Sequence, residues 1–227
     1  MVDYDGDGRL DLIAGSDDCC NFNGQFFLFR RGADGTFGAR ETLGTRYSKI
    51  QPPFFCPRTR VYFADWNLDK RLDLIVSFNE GRGVFLSFGP LADQGEIEMS
   101  AQIGDGEHTN SILCKPNVAD WDGDGIPDLV VTIRMHDKRA DSACLFRGIS
   151  DKEGTRLSAD PTLLVSPPDG ARFTDLDVVD WDDDGTLDLL AGVTWTEGAG
   201  QNFKARSQVW VFRGIRADSR SQQVPGR

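Results

Sequence analysis

The sequence predicts an all-β fold made of four repeats, each a small antiparallel sheet of four strands. Three observations carry this reading. An acidic motif recurs at near-constant spacing, two short apolar runs follow each copy, and helix-period stretches of ten or more residues are missing. The copies are Asp3-Tyr-Asp5-Gly-Asp7-Gly-Arg9-Leu-Asp11-Leu, Asp65-Trp-Asn67-Leu-Asp69-Lys-Arg71-Leu-Asp73-Leu, Asp120-Trp-Asp122-Gly-Asp124-Gly-Ile126-Pro-Asp128-Leu and Asp180-Trp-Asp182-Asp-Asp184-Gly-Thr186-Leu-Asp188-Leu. Their first aspartates lie 62, 55 and 60 residues apart, the period of a repeat architecture. Repeat boundaries fall at about residues 1–52, 53–109, 110–170 and 171–227 of one continuous domain.

Each acidic loop leads into an apolar run: Leu12–Ala14, Leu74–Val76, Leu129–Val131 and Leu189–Ala191. A second run follows at Phe26–Phe29, Val84–Leu86, Ala143–Phe146 and Val209–Phe212, each closing at a glycine (Gly32, Gly89, Gly148, Gly214). Short runs of Val, Ile, Leu and Phe punctuated by Gly, Asp and Pro read as strands. Because they are apolar at consecutive positions, both faces are expected to be buried, as in sheets stacked face to face. A weaker strand precedes each later loop (Val61–Ala64, Asn117–Ala119, Asp177–Val179), and a polar outer strand lies near Arg40–Leu43, Glu96–Ala101 and Pro161–Val165. Four antiparallel strands per roughly 60 residues make one blade of a β-propeller. The first loop begins at Asp3, which leaves no room for a preceding strand, and the tail Ser219–Arg227 is polar. The chain therefore reads as a four-repeat part of a propeller of about six to eight blades, with a closed four-bladed propeller as the alternative.

The loops have the chemistry of a hard-cation site. Calcium takes six to eight oxygens at about 2.3 to 2.6 Å, and alternate residues of a tight loop turn their side chains to one centre. Positions 1, 3, 5 and 9 supply them: Asp3, Asp5, Asp7 and Asp11; Asp65, Asn67, Asp69 and Asp73; Asp120, Asp122, Asp124 and Asp128; Asp180, Asp182, Asp184 and Asp188. The ninth position is Asp, where an EF-hand has Glu at the twelfth, and strand-like residues follow, so the EF-hand reading fails. Position 6 is glycine in three loops (Gly8, Gly125, Gly185), as a left-handed turn requires. The second loop has Lys70 there, Asn67 at position 3 and Leu68 at position 4, which ranks it weakest. Up to four structural Ca²⁺ are expected, and no catalytic residue is assigned, since a fully ligated hard cation offers no open position for chemistry.

These motifs resemble the FG-GAP/VCBS repeats of bacterial surface proteins, and the same calcium loop occurs in the integrin α-chain propeller. The likeness rests on Asp-x-Asp-x-Asp-Gly-x-x-Asp-Leu before an apolar strand and on the Arg30-Arg-Gly-Ala-Asp34-Gly35-Thr36-Phe37 stretch, and it covers nearly the whole chain. The Phe-Gly-Gly-Ala-Pro element that names the family is reduced to Phe37-Gly38-Ala39, so the VCBS-like forms are nearer. The resemblance implies a further oxygen from the backbone carbonyl of position 7, at Arg9, Arg71, Ile126 and Thr186. It also implies a non-catalytic, calcium-loaded propeller for adhesion or recognition of a protein or polysaccharide, in a parent located outside the cell, in the periplasm or at the cell surface. Recognition is then expected at the end opposite the metal loops, on Asp17–Gly24, Met135–Ser142 and Thr194–Arg206.

Composition narrows the partners. With 36 acidic against 25 basic residues and a net charge of −11, the chain lacks the positive field that nucleic-acid binding uses. No apolar run approaches the roughly 18 residues of a membrane helix, and Met1-Val2-Asp3-Tyr4 is no signal peptide. The aromatic residue after the first ligand (Tyr4, Trp66, Trp121, Trp181) is expected to pack between blades. His108 and His136 have no zinc-like spacing, and Cys144 reads as a buried thiol, while Cys19 or Cys20 is available for a disulfide to a distant thiol. Arg30, Arg31, Arg147 and Arg213 follow strand ends, where surface salt bridges are expected. The competing function is part of a propeller-fold polysaccharide lyase or hydrolase, which a pair of carboxylates separate from the metal loops would favour.

Overall fold

The computed structural model describes residues 1–15, 26–46, 59–78, 84–89, 96–98, 101–103, 116–134, 141–152, 154–198 and 204–214. Among them there is no helix. The chain is all-β, and it divides into two compact units, Met1–Asn110 and Ser111–Arg227.

In the first unit β1 (Leu12–Gly15), β2 (Phe26–Phe29) and β3 (Glu41–Arg46) form an antiparallel meander, and β4 (Thr59–Ala64), β5 (Asp73–Phe78) and β6 (Val84–Ser87) form another. Both apolar runs of each repeat are thus strands paired with one another, for example Leu12 opposite Phe29 and Leu74 opposite Ser87. The expected outer strand at Glu96–Ala101 is instead two short strands. β7 (Glu96–Glu98) adds parallel to β3, and β8 (Ala101–Ile103) adds antiparallel to β6. A three-residue strand holds few ladder bonds, so the chain can leave one sheet edge and reach another within two residues. Before β1 there is one bridge, Val2 with Asp11, in the place that β4 occupies beside β5. Phe26, Leu74, Val76 and Phe85 form the core of this unit, flanked by Ile13, Leu43, Val61 and Phe63. Side chains of both sheets meet there, as consecutive apolar residues predict, but burial on both faces does not hold for every run, since Leu12 is 37% and Val209 71% exposed.

In the second unit β9 (Asn117–Ala119), β10 (Asp128–Arg134), β11 (Asp141–Phe146) and β14 (Thr162–Val165) form a four-stranded antiparallel sheet in the order β14-β11-β10-β9. Between β11 and β14 a small hairpin, β12 (Gly148–Asp151) with β13 (Gly154–Leu157), stands apart as its own sheet, a feature the sequence pattern did not suggest. β15 (Ala171–Val179), β16 (Asp188–Glu197) and β17 (Lys204–Phe212) make a three-stranded antiparallel sheet. Leu129, Val130 and Val131 are all fully buried at successive positions, so the central strand is covered on both faces. Asn117 Nδ2 donates to the Leu176 carbonyl at 3.1 Å, tying the two sheets of this unit. Four repeats therefore contribute four principal sheets. Two are antiparallel and four-stranded, one is a meander extended by a parallel strand, and one is three-stranded among the described residues.

Candidate metal centre

Every acidic loop connects the start of its sheet to the first apolar strand and has the same backbone course. Positions 4 and 6 are both left-handed: Gly6 and Gly8 (φ 76° and 84°), Leu68 and Lys70 (62° and 69°), Gly123 and Gly125 (78° and 84°), Asp183 and Gly185 (57° and 83°). The turn at position 6 was legible in the sequence, whereas the one at position 4 was not, because only two of the four loops place glycine there.

The carboxylates are held by backbone amides. Position 1 accepts from the turn: Asp3 from Asp7 (3.0 Å) and Gly8 (2.9 Å), Asp65 from Asp69 (2.9 Å) and Lys70 (2.8 Å), Asp120 from Gly123 (2.8 Å) and Gly125 (2.9 Å), Asp180 from Asp184 (3.0 Å) and Gly185 (2.9 Å). Position 5 accepts the amide of position 7, at Arg9, Arg71, Ile126 and Thr186, over 2.7 to 2.9 Å. The residues expected to offer carbonyl oxygens therefore also orient a neighbouring carboxylate through their amides.

The ninth aspartate does most of the structural joining. Asp11, Asp73, Asp128 and Asp188 are buried. One oxygen of each accepts the amide of position 2, from Tyr4 (3.2 Å), Trp66 (2.9 Å), Trp121 (2.9 Å) and Trp181 (3.0 Å). The other accepts an amide just beyond the second strand, from Arg31 (2.8 Å), Gly89 (2.8 Å), Gly148 (2.6 Å) and Gly214 (2.7 Å). These strand-end donors were missed in the sequence. The signal was the glycine that closes the second run, although in the first repeat the donor is Arg31 and not Gly32. At Gly148 the glycine is a matter of space, since a Cβ would lie 2.2 Å from the Pro127 carbonyl oxygen.

The aromatic residue at position 2 does not pack alike in the four repeats. Trp66 is buried, Tyr4 and Trp121 are half-buried, and Trp181 is 53% exposed. What the four share is the amide bond to the ninth aspartate, not a common interior environment.

Three loops bring carboxylate oxygens within 4.8 Å of one another: Asp3, Asp5 and Asp7; Asp120, Asp122 and Asp128; Asp180, Asp182 and Asp188. Two oxygens on one calcium ion, each about 2.4 Å from it, stand at most about 4.8 Å apart. Asp11, Asp124 and Asp184, expected as ligands from the sequence, are not among the residues so grouped. Asp65, Asp69 and Asp73 form no such acidic group, and in that loop the Asn67 amide turns to Asp69 Oδ2 at 3.2 Å. The donors are carboxylate oxygens without sulfur or imidazole, a set that suits a hard divalent cation such as calcium. Burial pushes the Asp73 and Asp128 carboxyls up from the usual carboxylate range, against the pull of the Gly89 and Trp66 amides on one and the Gly148 and Trp121 amides on the other. A buried carboxylate in that state is one that a bound cation would stabilise.

Three arginines reach the third position. Arg30 Nη1 is 2.5 Å from Asp5 Oδ2, Arg213 Nη1 is 2.9 Å from Asp182 Oδ2, and Arg147 Nη1 donates to Asp122 Oδ2. These are the strand-end ion pairs the sequence suggested, here directed at the loops. Arg31 instead caps its own turn, through Nε to the Gly35 carbonyl at 3.3 Å.

The expected recognition segments are only partly described. Asp17–Gly24 lies outside the described residues, as do 135–140, 199–203, both histidines and the four cysteines other than Cys144. Thr194–Glu197 and Lys204–Arg206 are paired strand, not loop, because the β16–β17 hairpin runs on past the core to Glu197 opposite Lys204. At that end, away from the acidic loop, Arg206 stacks over Trp195 at 4.5 Å, and the Trp195 and Trp210 rings are 6.0 Å apart. Among the described residues no helix is long and apolar enough to cross a membrane.

No match to the chain is found among curated proteins. A family model described as an FG-GAP-like repeat matches residues 3–76 and 120–191, which begin at the first aspartate of the first and third acidic loops. With more than half of its length so matched, and with the same loop, strand pair and buried ninth aspartate in all four repeats, the chain belongs to the FG-GAP-like repeat family.

Proposed function

We propose that this chain is a calcium-stabilised, non-catalytic β-propeller module that recognises a protein or glycan outside the cell or at its surface. The observation that carries the proposal is the convergence of three carboxylates within 4.8 Å in each of three equivalent loops. Small sheets repeated at a near-constant period support the propeller reading. Bound calcium supplies charge neutralisation, and the residues that would hold it are Asp3, Asp5, Asp7 and Asp11; Asp120, Asp122, Asp124 and Asp128; and Asp180, Asp182, Asp184 and Asp188, with Asp65, Asn67, Asp69 and Asp73 as a weaker set. Positions 1, 3, 5 and 9 of the loops carry 15 of the 36 acidic residues, and crowding like charges without a cation opposes folding. Recognition is assigned to the strand ends away from the loops, where Trp195 and Arg206 offer an aromatic face and a cation.

A thermal melt in millimolar calcium, repeated in excess chelator and in magnesium, tests the metal reading. Free calcium about 100-fold above a site's dissociation constant adds roughly 2.7 kcal/mol per site, so chelation is expected to lower Tm by many degrees. A curve that does not move, or that magnesium restores fully, refutes it, because magnesium's smaller octahedral shell fits such loops poorly. Binding to a glycan or protein array that is lost on chelation supports the recognition reading.

A further inference from the structure

The third ligand position differs from the others in what holds it. Positions 1, 5 and 9 are oriented by backbone amides in every loop, and position 3 by the amide of position 5 in the first and second, whereas Asp5, Asp122 and Asp182 each also meet a guanidinium from beyond the second strand. The arginine stands immediately before the residue whose amide holds the ninth aspartate in the first and third repeats, as Arg30 before Arg31 and Arg147 before Gly148, and again in the fourth, as Arg213 before Gly214. Two adjacent residues at one strand end thereby grip two ligand positions of one loop.

The second repeat changes both members of the pair. Phe88 stands before Gly89 where the others have arginine, and Asn67 stands at position 3 where the others have aspartate. There the third position meets its neighbour instead, as Asn67 Nδ2 donates to Asp69 Oδ2 and Asn67 Oδ1 accepts the Asp69 amide at 3.1 Å. Where the carboxylate is an amide the strand-end arginine is replaced as well, by Phe88, as expected if those two positions form one charge-balanced pair.

We infer, resting on the calcium reading above, that Arg30, Arg147 and Arg213 are built-in counter-cations. They are positioning residues that keep the first, third and fourth loops assembled when no metal is bound and that lower those loops' affinity for calcium. Each contacts Oδ2 of the third carboxylate, and in the first loop Asp5 Oδ1 accepts the Asp7 amide at 3.3 Å. A monocation one carboxylate away from a divalent ion opposes it by up to about tenfold in affinity, even in a water-like dielectric. The same charge relieves carboxylate repulsion in the metal-free chain. The arginines thus trade calcium affinity for a loop that is already shaped before the ion arrives.

The third loop gives the cleanest test, since Arg30 also binds Glu41 at 2.9 Å and the first loop adds an Arg9–Asp7 pair. Calcium is titrated into the full chain while the backbone amide resonances of Gly8, Gly125 and Gly185 report on the first, third and fourth loops. Arg147→Gln is expected to move the Gly125 midpoint to roughly three- to tenfold lower calcium, to leave Gly8 and Gly185 in place, and to lower Tm in chelator. Arg147→Lys, which keeps the charge, is expected to hold the Gly125 midpoint near its original value. An unchanged or higher midpoint in Arg147→Gln, or a Lys variant that tightens as much as Gln, overturns the inference alone. If none of the three amides responds to calcium, the calcium reading falls and the inference with it. Should Arg147→Gln not fold, the exchange seen in the second repeat decides: Asp122→Asn/Arg147→Phe is expected to be more stable in chelator than Asp122→Asn, and equal stability of the two overturns the pairing.

Discussion

The Asp128 carboxylate accepts the Gly148 amide at 2.6 Å, across 20 residues of chain. This bond fixes the start of β12 to the start of β10 and leaves no room above Gly148, where a Cβ would lie 2.2 Å from the Pro127 carbonyl and 2.7 Å from the Ile126 side chain. Gly148→Ala is therefore expected to destabilise by about 1 to 3 kcal/mol, as overpacking against backbone does. Gly38→Ala is the control, since its Cβ would meet the Arg30 carbonyl at 3.5 Å, an ordinary contact. Denaturant unfolding of both variants in calcium checks the difference, and equal losses would refute the steric account.

In the second loop both left-handed positions carry side chains, Leu68 at φ 62° and Lys70 at φ 69°. Left-handed backbone costs a non-glycine residue about 1 to 2 kcal/mol, partly offset by the greater unfolded-state freedom of glycine. Lys70→Gly is expected to stabilise the chain by about 0.5 to 1 kcal/mol, whereas Gly125→Ala, at φ 84°, should destabilise it. A Lys70→Gly variant less stable than the parent in chelator would contradict this.

The second loop should fill last with calcium. It has three carboxylates at ligand positions where the others have four, and Lys70 adds a cation at the turn. The absent arginine partner weighs less than the lost carboxylate, because a directly coordinated charge is closer to the ion than one beyond it. In the amide titration the Lys70 resonance is expected to reach its midpoint at higher calcium than Gly8, Gly125 and Gly185. A Lys70 midpoint at or below theirs would reverse the ranking.

Cys144 is 1% exposed in β11, and burial pushes its thiol from 9.0 up to about 12. The folded chain keeps a proton that the unfolded chain releases, so this contribution to stability is complete below pH 9.0 and is lost as pH rises through about 12. Stability of the parent should fall more steeply between those values than that of Cys144→Ala. Unfolding free energies measured at several alkaline pH values, in calcium, check the slope, and parallel curves would count against a buried neutral thiol.

The repeat period, the identity of both apolar strands in each repeat and the position of every acidic loop follow from the sequence itself. They are local properties: runs such as Leu129–Val131 can bury both faces only in a stacked sheet, and alternate aspartates in a tight turn lie on one side of it. The tertiary structure decided what depends on residues far apart in the chain. It set the parallel addition of β7 to β3 and the separate β12–β13 hairpin, because edge pairing is governed by which strand edge lies nearby and not by the residues of either strand alone. It also decided that the amides of Arg31, Gly89, Gly148 and Gly214 close on the ninth aspartate, and that Arg147 reaches Asp122, 25 residues before it. A backbone N–H has no residue signature, and a strand-end arginine gains a specific partner only when the fold brings a loop to it.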